Sequence, residues 1–174
     1  KTLLYFGARH FDPFLDEKIA KICQEEGFAG TSTDIGAKAW NAKGGGTTPH
    51  ALFLAYNAYM DENKIIGNPT VEAAKAFDRN IDPNIPRVIL NCTYNREIED
   101  TIATAKAVPN FKACRIDTCG ENYTQGSQDI QLPELDVPEK YKQGKGVTIA
   151  GVWGLRRALD KANQGDLEIA VSSG

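Results

Sequence analysis

Two short stretches hold the side chains best suited to chemistry. The first is Gly44-Gly45-Gly46-Thr47-Thr48-Pro49-His50. Three glycines permit positive φ and let a ligand approach the main chain closely. Thr47 and Thr48 add hydroxyls, and Pro49 sets His50 in or near the first turn of a following helix. Successive N–H groups ahead of a positive helix end suit an anion, and a histidine donates, accepts or holds a proton near neutral pH. A tight connection is the plainer reading of the same glycines. The second stretch is Arg115-Ile116-Asp117. In a strand, residues i and i+2 share a face, so guanidinium and carboxylate look into one space. The planar fork of Arg115 suits a carboxylate, amide or phosphate, and Asp117 suits ribose hydroxyls or a magnesium–phosphate group. A structural salt bridge between the two is the alternative.

The elements around these stretches alternate. Residues 3–6, 28–30, 87–90, 113–117 and 167–171 read as short, mostly apolar strands. Asp12-Pro13 opens a helix as N-cap acid and first-turn proline. In that helix Leu15, Ile19, Ile22 and Cys23 share one face, and Gly27 stops it. A short helix over 34–40 leads into the glycine loop, and another helix begins near His50. Asn68-Pro69 caps a helix over 71–79. Ile98, Ile102, Ala105 and Val108 mark the next one, closed by Pro109. A helix over 147–163 turns Val152, Leu155, Leu159 and Ala162 inward. Residues 120–146 are polar, aperiodic and longer than an ordinary connection, which reads as a functional excursion or lid. Strands alternating with helices predict parallel βα units.

In a βα barrel, functional residues collect where strands end. Those positions here are Arg9 and His10, 31–34, the loop 44–50, 91–95, Arg115 and Asp117, and Ser172-Ser173. Nearly every strand end thus offers groups for an anion or a hydroxylated ligand.

The 174 residues suffice for one domain with a genuine core. Hydrophobic content of 41% and charge of 25% are ordinary for a globular protein. A net charge of −3 without a Lys/Arg run gives no footprint for nucleic acid. No apolar run reaches the roughly 20 residues of a membrane span. The opening Lys-Thr-Leu-Leu has no signal-peptide layout, so the expected compartment is the cytoplasm. Cys23, Cys92, Cys114 and Cys119 lack metal-ligand spacing and read as reduced, buried thiols.

Phe6-Gly7-Ala8-Arg9, Gly30-Thr31-Ser32, Gly46-Thr47-Thr48-Pro49-His50, Thr93-Tyr94-Asn95 and Arg115-Ile116-Asp117, in this order and rough spacing, resemble the barrel of the nicotinate phosphoribosyltransferases. The resemblance implies an α/β fold, an incomplete parallel βα (TIM-like) barrel of the type II phosphoribosyltransferase kind, assembled as a homodimer or completed by further chain segments. It implies transfer of a phosphoribosyl group from phosphoribosyl pyrophosphate to nicotinate, with Mg2+ and with ATP as an optional co-substrate. By the same resemblance Phe6 stacks on the pyridine ring, and Arg9 binds the phosphate-bearing substrate. His50 is the histidine phosphorylated from ATP, and Arg115 and Asp117 line the base and ribose site. Thr47, Thr48, Ser172 and Ser173 count among the substrate-binding positions, and His50 and Asp117 among the catalytic ones. Ser32 falls where nicotinamide-using relatives carry an aspartate. A serine hydroxyl can donate to a nicotinate carboxylate that an aspartate would repel, with Asp34 close by.

The family also has a sandwich domain before the barrel and a glycine-rich phosphate loop after the next strand. Neither matches any part of residues 1–174, which therefore read as a partial barrel domain. Two other readings stand beside the enzyme: a non-catalytic barrel fragment used as a binding or assembly module, and a relative that uses another pyridine base. His50 speaks against quinolinate, whose branch lacks the ATP-coupled histidine.

Overall fold

A computed structural model describes residues 2–7 and 10–172. The chain divides into two compact units, residues 1–46 and 47–174.

In the first unit, helix α1 (Pro13–Glu25) starts as its caps require: Asp12 accepts from the Phe14 N–H at 2.9 Å, with proline in the first turn. Its buried side chains are Asp16 and Ala20. The expected apolar face of Leu15 and Ile22 is 45% and 58% exposed instead. The reason lies in Asp16, whose carboxylate accepts from the Thr33 hydroxyl at 2.6 Å and so can face inward. Thr33 also caps α2 (Asp34–Ala37), accepting from the Gly36 N–H. A 3-10 turn follows over Lys38–Trp40, and the Trp40 indole N–H donates to the Phe28 carbonyl at 2.9 Å. The strands expected at 3–6 and 28–30 reduce to one parallel bridge, Tyr5 with Thr31. Leu3 and Leu4 are more than half exposed, so apolar character alone does not make this segment a buried strand.

The second unit holds a parallel sheet in the order β1-β2-β3: β1 (Arg87–Leu90), β2 (Phe111–Ile116) and β3 (Glu168–Val171). The parallel α/β class follows the predicted alternation. Of the five strands expected for a barrel, these three form a sheet among the described residues. Strand β2 ends one residue before Asp117. Helices α3 (His50–Glu62) and α4 (Pro69–Asn80) supply Phe53, Ala73 and Ala74 to one core cluster with Ile89 and Leu90. Asn68 caps α4 from its side-chain oxygen, as its place before proline predicts. A second cluster joins Cys114 and Ile116 of β2 to Leu155 and Leu159 of α7 (Ile149–Lys161).

Helix α5 (Glu97–Ala107) packs its expected Ile98, Ile102 and Ala105 against the second cluster, with Val108 buried in the first, and adds a polar face that was not expected. Its fully buried face is polar: Glu97, Asp100, Thr101 and Thr104. Partners explain Glu97, Asp100 and Thr104. Asp100 accepts from Thr70 at 2.6 Å and Asn68 at 2.7 Å, and Thr104 meets Asn91 at 3.2 Å. Ile98 and Ile102 are only partly buried against the second cluster.

The excursion after β2 is closed at its neck. Tyr123 bridges Gly146, the Gly146 N–H donates to the Asn122 carbonyl at 2.8 Å, and the Thr124 hydroxyl donates to the Gly146 carbonyl at 3.0 Å. Gly151 permits this approach, since a Cβ there would stand 2.8 Å from that of Thr124. Beyond the neck lies the short α6 (Glu139–Lys142). No helix among the described residues is long and apolar enough to cross a membrane.

Candidate active site at the ends of the parallel strands

Strand register sets the site. Arg115 pairs with Ala170, and Ile116 with Val171. The Ser172 N–H continues the ladder to the Ile116 carbonyl at 3.0 Å, which carries Ser172 up beside Asp117. Its hydroxyl donates to Asp117 Oδ1 at 2.9 Å. The Arg115 guanidinium donates from Nη2 to Asp117 Oδ2 at 2.5 Å, from Nε to Ser172 Oγ at 2.8 Å and from Nη1 to Thr47 Oγ1 at 3.1 Å. Arginine and aspartate thus share a face as their i, i+2 spacing predicts, and they meet as an ion pair with side chains only 16% and 17% exposed.

His50 stands at the start of α3 with Nε2 3.7 Å from Asp117 Oδ2. Its Nδ1 lies 3.1 Å from Thr93 Oγ1. One tautomer serves both neighbours: Nδ1 accepts from the threonine hydroxyl, and an Nε2–H faces the carboxylate. Thr93 is a participant that the motif Thr93-Tyr94-Asn95 contained without marking. The adjacent Tyr94 has a framework task, donating from its hydroxyl to the Phe53 carbonyl at 2.9 Å.

Thr48 is fully buried. Its N–H donates to the Val88 carbonyl at 3.3 Å, and its Oγ1 accepts from the Leu90 N–H at 2.9 Å. It therefore laces the segment entering α3 onto β1, and its hydroxyl is committed to the backbone rather than to a ligand. Cys92 is a second support that the sequence left unmarked. Its sulfur accepts from the Asp117 N–H at 3.2 Å. Burial pushes its thiol up to about 12, even though that N–H bond acts the other way. It holds the backbone as a neutral thiol and is no nucleophile. Two of the four cysteines, Cys92 and Cys114, are buried as expected, while Cys119 is exposed.

The glycine loop departs from the anion-cradle expectation. None of its three glycines has positive φ. The Gly44 N–H donates to Asp34 Oδ1 and the Gly45 N–H to the Thr31 carbonyl, both at 2.9 Å. What Gly44 provides is close approach: a Cβ would lie 2.7 Å from the Thr33 carbonyl carbon. The loop is held by its own unit, and those two donors are not turned to an anion.

Of the residues singled out in the sequence, Thr47, His50, Arg115, Asp117 and Ser172 come together in the second unit. Phe6 and Ser32 belong to the first. Phe6 is 40% exposed, and the Ser32 hydroxyl is buried without a hydrogen-bond partner among the described residues. His10 is exposed. Arg9 and Ser173 lie outside the described residues. No group of three histidine, cysteine, aspartate or glutamate side chains placed to hold a metal occurs among the described residues.

Fold and cluster together define an α/β protein with a polar site at the carboxyl ends of parallel strands. No protein-family model matches the chain, and no curated protein matches it. Among solved structures, it is similar to the crystal structure of nicotinate-nucleotide pyrophosphorylase from Pyrococcus furiosus, with a TM-score of 0.69 and 25% sequence identity. The match covers 99% of this chain and 36% of that one, so the chain spans about a third of the length of the protein it resembles.

Proposed function

We propose that the chain forms the phosphoribosyl-binding part of a nicotinate phosphoribosyltransferase, an incomplete barrel acting in NAD biosynthesis. The observation that carries this reading is the cluster of Thr47, His50, Arg115, Asp117 and Ser172 at the strand ends, on a fold shared with a nicotinate-nucleotide enzyme.

Each group has a task in that reaction. Asp117 has two acceptor oxygens for ribose hydroxyls, and its negative charge stabilises the oxocarbenium character that grows at C1 as pyrophosphate departs. The Arg115 guanidinium balances anionic oxygens of the substrate, with Thr47 adding a hydroxyl and Ser172 holding Asp117 in place. His50, oriented between Thr93 and Asp117, is the group that would accept a phosphoryl from ATP. Ser32 contributes an unclaimed hydroxyl suited to a nicotinate carboxylate, and Phe6 a ring face for the pyridine. Magnesium fits a site with one carboxylate, because it is commonly held by one or two carboxylates plus substrate phosphates. Asp117 is the side chain that would contribute, and the ion would supply charge neutralisation on pyrophosphate. The Arg9 and Ser173 roles, the cytoplasm and the homodimer belong to the same proposal.

The test is calorimetric titration of the chain with phosphoribosyl pyrophosphate and Mg2+, beside Arg115→Ala. Micromolar binding lost in the variant supports the reading, and turnover with nicotinate then tests the base. A folded chain that binds nothing overturns it and leaves a non-catalytic barrel module. Turnover with another pyridine base and none with nicotinate would reassign the substrate.

A further inference from the structure

The second unit holds another concavity that shares no residue with the Arg115 cluster. It measures about 490 Å³ and lies between the excursion, the start of α5 and one face of α7. Such a volume is within the range of small-molecule sites, roughly 300–1,000 Å³. Its wall is of two kinds. Ile98 of α5, Ile130 of the excursion and Ala158 of α7 give an apolar surface. Arg157 and Lys161, one helical turn apart on α7, give two cations on the same side.

Neither cation has an ion-pair partner among the described residues. Their neighbour Arg156 shows the contrast: it is committed to Asp160 at 2.9 Å and to the carbonyls of Gln164 and Leu167. The one acidic group on the wall is Asp129, which leaves an excess of one positive charge. Backbone shape keeps the space open. Gly126 sits at φ +74°, where a side chain is strained, and a Cβ on it would press the Ile98 side chain at 3.2 Å. Gly154 opposite leaves its Cβ position to Ile130, 3.6 Å away. The excursion thus passes over the helix on two glycines, with apolar surface below and unpaired cations at one side.

We propose that this cavity is a second binding site, for a small organic anion that joins a carboxylate or phosphate to a short apolar body. The fork of Arg157 takes two anionic oxygens and Lys161 adds a point charge. The apolar body covers the open parts of Ile98 and Ile130, displacing water from them. Asp129 tunes the site against ligands of low charge.

Phenyl phosphate serves as the probe, titrated calorimetrically into the chain, with inorganic phosphate alone as the comparison. The expected result is saturable binding of phenyl phosphate, about tenfold or more tighter than inorganic phosphate. Arg157→Gln with Lys161→Gln, both at exposed positions, weakens it by about tenfold or more. Asp129→Asn strengthens it. Binding persists in Arg115→Ala, or in Ser172→Ala should the arginine variant not fold, which separates this cavity from the strand-end site. The proposal is overturned by no binding, by equal binding of inorganic phosphate, by binding indifferent to the α7 substitutions, or by binding lost only in the strand-end variants.

Discussion

Ser172 and Asp117 face each other across β2 and β3, hydroxyl to carboxylate at 2.9 Å, one step beyond the last paired residues of those strands. Because Arg115 grips both from two residues back, the three side chains form a closed triangle. Removing any corner leaves a largely buried polar group without its partner. Arg115→Ala strands the Asp117 charge and should lower stability by about 2–3 kcal/mol. Ser172→Ala leaves the ion pair intact and should cost about 1 kcal/mol. Urea unfolding of the two variants checks the order; equal losses would mean that Arg115→Ala leaves no stranded charge at Asp117.

His50 has a different standing. Its side chain is 43% exposed and it touches the cluster at ion-pair rather than hydrogen-bond distance. His50→Asn should therefore change stability by no more than about 0.5 kcal/mol. Under the proposed reaction it removes the phosphoryl acceptor. Incubation with ATP labelled in the γ-phosphate should mark the unaltered chain and leave His50→Asn blank. Label retained in the variant would place the acceptor elsewhere.

The residue after Asp117, Thr118, meets a buried carboxylate. Glu97 is fully buried at the start of α5, where Oε1 accepts from the Thr118 hydroxyl and Oε2 from the Gln125 N–H, each at 2.9 Å. Gln125 answers by accepting from the Ile98 N–H at 2.9 Å. This is a capping exchange made across tertiary structure, fixing the entry of the excursion to one helix end. Glu97→Ala leaves two donors unsatisfied and should cost about 3 kcal/mol. Amide hydrogen exchange should then speed up over 118–125 more than in β1. Uniform acceleration would show a general loss of stability instead.

Gly151 supplies a steric counterpart. A Cβ at this buried helical position would stand 2.8 Å from the Thr124 Cβ, closer than side-chain atoms settle, and the neighbour is a branched residue tied to Gly146. Gly151→Ala gains helix propensity of up to about 1 kcal/mol and incurs overpacking of about 1–3 kcal/mol. The expected net effect is destabilisation, read as a lower urea midpoint. A stabilised variant would show that the neck of the excursion yields freely.

Legibility in the sequence followed a physical divide. Asn68-Pro69 and Asp12-Pro13 announce helix starts because caps act through neighbouring backbone, and both are seen where expected. The run 87–90 is legible as a strand because its apolar residues are buried in sequence. Arg115, Asp117 and Ser172 were legible as a group once strand ends were considered together. The polar inner faces were hidden. Asp16 turns inward because Thr33, far along the chain, meets it, and α5 buries Asp100 because Thr70 and Asn68 do. Hydrophobic periodicity carries no record of such partners. The committed amides of Gly44 and Gly45 were hidden for the same reason.

Buried thiols give the chain a defined alkaline weakness. Burial raises Cys92 from 9.0 to about 12, and it raises Cys114 by as much. Below pH 9 both are neutral in the folded and unfolded states alike, so their contribution is fully present. As pH rises past 9 the unfolded thiols ionise while the folded ones stay protonated, and stability drains away until the folded thiols titrate near 12. Tyr5 adds to the upper part of that window, raised from 10.0 to about 12 by burial and by the Asp16 carboxylate. The urea midpoint should hold steady from pH 7 to 8.5 as far as these groups are concerned, then fall between pH 9 and 11. Cys92→Ala with Cys114→Ala should start about 2 kcal/mol lower at pH 7, from two small cavities, and then fall less steeply. Lysine and surface tyrosine titration is common to both proteins, so the difference in slope isolates the thiols. Parallel slopes would mean that Cys92 and Cys114 ionise as readily folded as unfolded, and the burial assigned to them would be wrong.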